Sequence, residues 1–300
     1  MPHPSDISGR FWNLPQKGEE EAAREQNFID DIISKAHIER LLLENLDGVR
    51  SAFDGGGGAG RFSLLLAARG VHVTHFDISR PMIDKARQLA ERRGVAQNIT
   101  FVRGKLEDLS AFSDKQFDLV MSFDAPISYT WPNHEQVIGE LVRIAGKRVC
   151  VSVYSRGANT AYMFDPGQKE KYILQWRNRR HRRHKGCRPD FVAARELLYG
   201  GLTNPEAISA SYLRGETPWP VSYSFTPGEL QGLLERHGAK DVRLSGPGAL
   251  SRSIPGDLLR AYVRDEALKR DFLAFCYEYD SQPWAAGLGK DNVVAIAEVD

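Results

Sequence analysis

Between residues 49 and 70 the chain reads VRSAFDGGGGAGRFSLLLAARG, and this stretch restricts the fold more than any other. VRSAF (49–53) is a short β-type run, a glycine-rich turn follows, and GRFSLLLAARG (60–70) has helical spacing closed by Gly70. The unit recurs. VHVTHFD (71–77) leads into SRPMIDKARQLAERRG, whose Ser79 and Pro81 are helix-start punctuation. NITFVRG (98–104), FDLVMSF (117–123) and KRVCVSVYS (147–155) are three more strand candidates, each set off by turn or helix material. Strands alternating with helices predict an α/β fold: a doubly wound, Rossmann-like, mostly parallel sheet that binds ligands at the carboxyl ends of its strands.

The flanks are less regular. Residues 19–46 carry Ile29, Ile32, Ile33 and Ala36 at helical spacing behind an acidic first turn, which predicts one or two amphipathic helices ahead of the core. The segment from 156 to 222 is rich in Arg and aromatics and broken by Pro166, Pro189, Pro205, Pro218 and Pro220, so a lid or helical insertion is expected there. FTPGELQGLLERHGA (225–239) resumes the pattern with a helix entered at Thr226 and Pro227, and the strand DVRLSG follows. A second helical excursion precedes the last β run, NVVAIAEV (292–299).

With 300 residues and 42% apolar content there is material for a packed interior. A formal net charge of +1 gives no global case for nucleic acid or membrane as a partner. Three cysteines (Cys150, Cys187, Cys276) form no disulfide framework, the N-terminal MPHPSDISGRFW is polar and turn-rich, and no apolar run reaches the roughly 18 residues of a membrane helix. A cytoplasmic protein is expected.

The glycine run satisfies two patterns at once. Gly55-x-Gly57-x-x-Gly60 is the dinucleotide spacing, and Asp54-x-Gly56-x-Gly58-x-Gly60 is that of a loop holding S-adenosylmethionine. Asp77 suits the ribose of either ligand. Asp54 discriminates, because a carboxylate in front of the glycines repels a pyrophosphate and attracts the cationic amino and sulfonium groups of the methyl donor.

On these residues the stretch 48–155 resembles the class I S-adenosylmethionine-dependent methyltransferases. Asp54, Gly56, Gly58, Gly60 and Arg61 resemble the family's first motif, and Asp77, followed by Ile78, falls where its ribose-binding acid ends the second strand. FVRGKLEDL (101–109) matches the adenine-contacting stretch, which implies contacts at Lys105 and Leu106. FDLVMSFDA (117–125) matches the fourth strand, which implies one at Phe123. Lys105 departs from the pattern: many members carry an acid there that accepts from the adenine amino group, so the Leu106 N–H, or Glu107 or Asp108, must serve instead. The resemblance divides the chain into an N-terminal helical lid (1–47), a donor-binding core (48–155), a substrate lid (156–224) and the remainder of the core with its second insertion (225–300), and it implies an antiparallel last strand.

Methyl transfer from a sulfonium needs an aligned nucleophile, and a general base only where the acceptor arrives protonated. Asp124, Tyr129 and His134 after the fourth strand, and His37 on the N-terminal helix, are the candidates for such roles. Asp124 could instead cap the next helix, His134 could cap or lie at the surface, and His37 could be solvated. Tyr154, Arg156, Trp131 and Tyr162 are candidate substrate contacts, with packing as the alternative. RNRRHRRHKGCR (177–188), with seven Lys or Arg in twelve residues, reads as a solvated helix face, an anion grip for a phosphorylated or carboxylated substrate, or an RNA track. His181, His184 and Cys187 lack a fourth ligand and sit among cations, so no metal is assigned. The reading is a methyltransferase acting on O, N or C of a small molecule or short peptide, with an anionic metabolite among the candidates. An RNA methyltransferase and a non-catalytic donor-binding protein are the alternatives; no membrane partner is expected, and monomer and homodimer both stand.

Overall fold

A computed structural model describes residues 2–24, 29–162, 191–203 and 205–300. Seven strands form one sheet: β1 (Ser51–Gly55), β2 (His72–Asp77), β3 (Ile99–Arg103), β4 (Phe117–Ser122), β5 (Ala145–Tyr154), β6 (Lys240–Ser245) and β7 (Asn292–Glu298). Their order is β3-β2-β1-β4-β5-β7-β6. Pairing is parallel from β3 to β5, while β7 runs antiparallel to both β5 and β6.

Side-chain alternation follows the pleat. Ala52, Leu119, Met121 and Ile296 face one layer with Leu42 and Leu66, and Phe53, Val120, Val149 and Ala295 face the other with Leu141 and Leu230. Both faces are covered, as the near-continuous apolar strands require. Strand order reverses between β1 and β4: the chain leaves β1 toward β2 and β3, then crosses back to β4 on the other side. A crevice opens at the carboxyl ends of such a pair, and here those ends are Asp54-Gly55 and Ser122-Phe123.

Helices α4 (Arg61–Ala67), α5 (Arg80–Arg92), α6 (His134–Ile144) and α10 (Pro227–Arg236) are the regular crossovers and layers. Ser79 caps α5 by accepting from the Met82 N–H at 3.3 Å. Thr226 and Glu229 close a reciprocal capping box on α10, with bonds of 2.8 and 3.2 Å.

Ahead of the sheet lie α1 (Pro4–Trp12), α2 (Lys17–Ala22) and α3 (Ile29–Glu44). Helix α1 departs from the turn-rich expectation for residues 1–12. Pro4 opens it, His3 accepts from the Ser5 N–H, and Ile7 and Phe11, four apart on one face, are buried. The insertion contributes α7 (Arg156–Tyr162), α8 (Phe191–Gly200) and α9 (Pro205–Leu213), and α11 (Gly256–Arg264) and α12 (Glu266–Asp280) lie between β6 and β7. The basic stretch 177–188, with His181, His184 and Cys187, lies outside the described residues. Among those described, no helix is long and apolar enough to cross a membrane.

Candidate active site

A cavity of about 240 Å³ occupies the crevice, floored by the glycine loop and the ends of β2 and β4 and roofed by α1–α3. The loop turns where the backbone is left-handed: Gly56, Gly58 and Gly60 have φ of 72°, 55° and 86°. Two close approaches fix its path. A Cβ at Gly57 would meet Nδ1 of His75 at 2.5 Å, and one at Gly60 would meet Cβ of Ala86 at 2.8 Å. The N–H of Gly56 donates to the Phe76 carbonyl at 2.7 Å, which pins the loop to β2.

Two acids stand in this cradle. Asp54, 1% exposed, accepts from the Ser63 hydroxyl at 2.6 Å, and His75 lies 2.9 Å from that same hydroxyl. Since Ser63 donates to Asp54, the His75 Nδ1–H donates to Ser63. Asp77 accepts from the Gly58 N–H at 2.8 Å and the Ser79 N–H at 2.7 Å, one bond to each oxygen. Burial pushes both carboxyls up to about 6. His75, also buried, is held down at about 4 and stays neutral. Paired buried acids above glycine N–H groups suit a ligand that brings positive charge to Asp54 and hydroxyls to Asp77, because each carboxylate oxygen keeps a free lone pair.

Lys105, Leu106, Glu107 and Ile78 line the opposite end. Lys105 does not project into empty space: its Nζ donates to the Ser5 hydroxyl of α1 at 3.3 Å, so it ties the roof to the floor. Glu107 is the carboxylate on this wall, raised by burial, whereas Asp108 bonds to Ser110 at 2.7 Å on the exposed side. Further ties hold the roof. The Ser79 hydroxyl donates to the Trp12 carbonyl at 2.6 Å, and Asn13 Oδ1 accepts from the Arg80 N–H at 3.0 Å.

At the end of β4, Asp124 and Ala125 are consecutive non-glycine residues in the left-handed region, with φ of 66° and 64°. This turn swings the Asp124 carboxylate into the cavity, where it pairs with the Lys35 ammonium. A 3₁₀ turn (Pro126–Tyr129) follows, and the N-cap of α6 is Asn133, so Asp124 caps no helix. Tyr129 lines the cavity, and its hydroxyl bonds to that of Tyr154 and accepts from Trp219 Nε1 at 3.0 Å. Phe123 lines the floor and packs on Phe62 at 4.9 Å.

Other sequence-derived candidates lie elsewhere. His37 turns away from the cavity: its Nε2 bonds to the Ser245 hydroxyl at 2.9 Å, its ring packs on Tyr277 at 4.8 Å, and burial holds it neutral at about 4. His134 stacks on Tyr223 at 4.2 Å and packs on Phe225, which makes it a packing group. Arg156 is spent on Glu229 at 2.8 Å and on the Ser224 carbonyl at 3.0 Å. Trp131 packs with Ile7, Ile208 and Val221. Tyr154 stands behind Tyr129, and the Tyr162 side chain lies outside the described residues.

Lys35, Arg24, Glu21 and Trp12 line the cavity without having been anticipated. The helical character of 19–46, which carries Glu21, Arg24 and Lys35, was legible and that of α1, which carries Trp12, was not; in either case the face that meets the crevice depends on partners distant in sequence.

Residues 52–147 match a family model described as a methyltransferase domain. The tRNA 5-carboxymethoxyuridine methyltransferase of Escherichia coli (strain K12) is 33% identical over 84 residues, which are 28% of this chain and 32% of that protein. An uncharacterized methyltransferase of Bacillus subtilis (strain 168), YbaJ, is 39% identical over 64 residues, 21% of this chain and 24% of that one. The chain thus matches about a third or less of the length of these curated relatives. Magnesium protoporphyrin IX methyltransferase from Synechocystis PCC 6803, solved with bound SAH, superimposes with a TM-score of 0.55 at 14% identity, covering 99% of this chain and 100% of that one. That likeness establishes the shared fold.

Proposed function

We propose that the chain, whose residues 52–147 match a methyltransferase-domain model, is a class I S-adenosylmethionine-dependent methyltransferase that moves the methyl group to a small-molecule or short-peptide acceptor held between Asp124, Tyr129 and the N-terminal helices. The observation that carries this reading is the cavity itself. It joins the acidic glycine cradle to the end of β4 under a roof bonded to the core, which supports a compact acceptor meeting the donor at the β4 end.

When bound, S-adenosylmethionine supplies an electrophilic methyl on a sulfonium. The residues of this chain do the rest. Asp54 neutralises the donor's ammonium, Asp77 accepts from the ribose hydroxyls, and Glu107 with the Leu106 N–H replaces the missing acid at Lys105. Tyr129, braced by Tyr154 and Trp219, walls the acceptor end, and the roof excludes water from the electrophile. A cytoplasmic setting fits this reading.

Methylation of RNA is the second reading, favoured by the tRNA-modifying relative. Its match covers 84 residues, 28% of this chain, and we assign acceptor choice to the N-terminal helices that roof the cavity. Two measurements separate the cases. S-adenosylmethionine and its demethylated product should raise the melting temperature while NAD leaves it unchanged; no shift with the first two refutes the donor assignment. With radiolabelled donor, label should pass to a small-molecule extract and not to total tRNA; transfer to tRNA overturns the small-acceptor assignment.

A further inference from the structure

Lys35 is 3% exposed, yet its ammonium faces the cavity. It pairs with Asp124 and lies 5.3 Å from the centre of the Phe62 ring. The charged groups that face it come from every side: Glu21 and Arg24 from α2 and the turn after it, Asp31 and Glu39 from α3 itself, Asp54 from β1, and Asp124 from the turn after β4. Burial prevails over the Glu21, Asp31 and Asp54 carboxylates and holds the ammonium down at about 8. An amine poised there changes charge state in response to one added charge nearby. The site is built to receive such a charge, because Asp54, one of the acids that keeps Lys35 protonated, is the acid assigned to the cationic donor.

We propose that Lys35 is the proton acceptor of the transfer: the donor's ammonium occupies Asp54, its sulfonium adds the charge that drives the proton off Lys35, and the neutral amine beside Asp124 then takes the proton of the acceptor. This rests on the methyl-donor reading above. In the step, the acceptor's O–H or N–H proton goes to Lys35 Nζ, the acceptor's lone pair forms the new bond to the methyl carbon, and the carbon–sulfur pair stays on sulfur. Lys35 ends as an ammonium with Asp124 as its counter-ion. The acceptor class follows: a hydroxyl, phenol or protonated amine, which needs a base, and not a carboxylate, which arrives ionised.

The test counts protons and needs no acceptor. Calorimetric titrations near pH 7.5, in two buffers of different ionisation enthalpy, give the protons released as S-adenosylmethionine or S-adenosylhomocysteine binds. The two ligands differ by the sulfonium charge. Wild-type protein should release at least about half a proton more with the first than with the second, and Lys35→Arg, whose guanidinium stays charged, should erase the difference. As a second measurement, the ratio of the two affinities in wild type should rise severalfold, up to about tenfold, per pH unit from 6.5 to 7.5, beyond any rise in Lys35→Arg or Lys35→Met, which share the titration of the ligand amines. Equal proton release from both ligands in wild type, or a difference that survives in both variants, overturns the assignment to Lys35 and leaves the donor reading standing. Failure of wild type to bind either ligand overturns the donor reading itself.

Discussion

Replacing Asp54 by asparagine separates what the glycine loop needs in order to fold from what it needs in order to bind. Burial pushes this carboxyl up to about 6 from its ordinary 3.8, with the Ser63 hydroxyl opposing and Asp77 adding. A folded-state value above the unfolded one means that the ionised carboxylate works against the fold: its contribution is most favourable below pH 3.8 and is lost as pH rises through about 6. At about 1.4 kcal/mol per tenfold change in acidity, ionising Asp54 inside the fold costs about 3 kcal/mol near pH 7.5 and about 1 kcal/mol near pH 4.5. Asp54→Asn removes that cost, while its amide, short of an acceptor, returns about 1–3 kcal/mol at every pH. The packing term cancels when two pH values are compared. Urea unfolding of the ligand-free protein should therefore show the stability of the variant relative to wild type rising by about 2 kcal/mol from pH 4.5 to pH 7.5. In calorimetry near pH 7.5, the variant should bind S-adenosylmethionine about tenfold or more weakly, from the loss of a buried charge partner. The same relative stability at both pH values would show that the carboxyl titrates as if in water, and unchanged affinity would show that it does not face the donor; either result refutes the reasoning.

Gly60→Ala places a Cβ at a φ of 86° and 2.8 Å from Ala86 Cβ; left-handed strain of about 1–2 kcal/mol and overpacking of about 1–3 kcal/mol should lower the urea unfolding free energy by roughly 2–5 kcal/mol. Arg156→Ala loses the Glu229 pair and the bond to the Ser224 carbonyl, so stability should fall by about 1–3 kcal/mol with donor affinity unchanged; a loss of affinity would return Arg156 to the site. His37→Phe keeps the ring against Tyr277 and removes a titrating group. Because the buried imidazole is held neutral at about 4, wild type has its full stability above pH 6.5 and loses it as pH falls toward 4. Its unfolding free energy should drop by about 2 kcal/mol more than that of His37→Phe between pH 7.5 and pH 5.

The sheet could be read in advance because its signals are local. Apolar strands ending in glycine, Ser79 and Thr226 at helix starts, and Asp54 and Asp77 at strand ends each declare themselves within a few residues. Side-chain direction on α3 could not. Lys35 and His37 are two apart, so an α-helix turns them about 200° from each other, and only one can meet the crevice. Both are buried, because α3 lies between the sheet and α12, and nothing within α3 marks which side is which. Arg156 and His134 were legible as strand-end and loop residues, but Glu229 and Tyr223, which occupy them, lie more than 70 residues onward. Tertiary partners decided each of these positions.

The seating of α3 also sets an order of assembly. Lys35 reaches the cavity because the opposite face of its helix is held by Ser245, Cys276 and Tyr277, with His37 bonded across 208 residues and Glu44 across 233. Contacts of such sequence separation close late, after the local βαβ units have formed. During synthesis the Asp54 cradle and β4 can therefore form before the wall that carries Lys35 is locked. A chain cut after β6 would keep every described residue that lines the cavity and still lose its alignment, so nicking near residues 250–280 should act as a loss of the site with no lining residue removed.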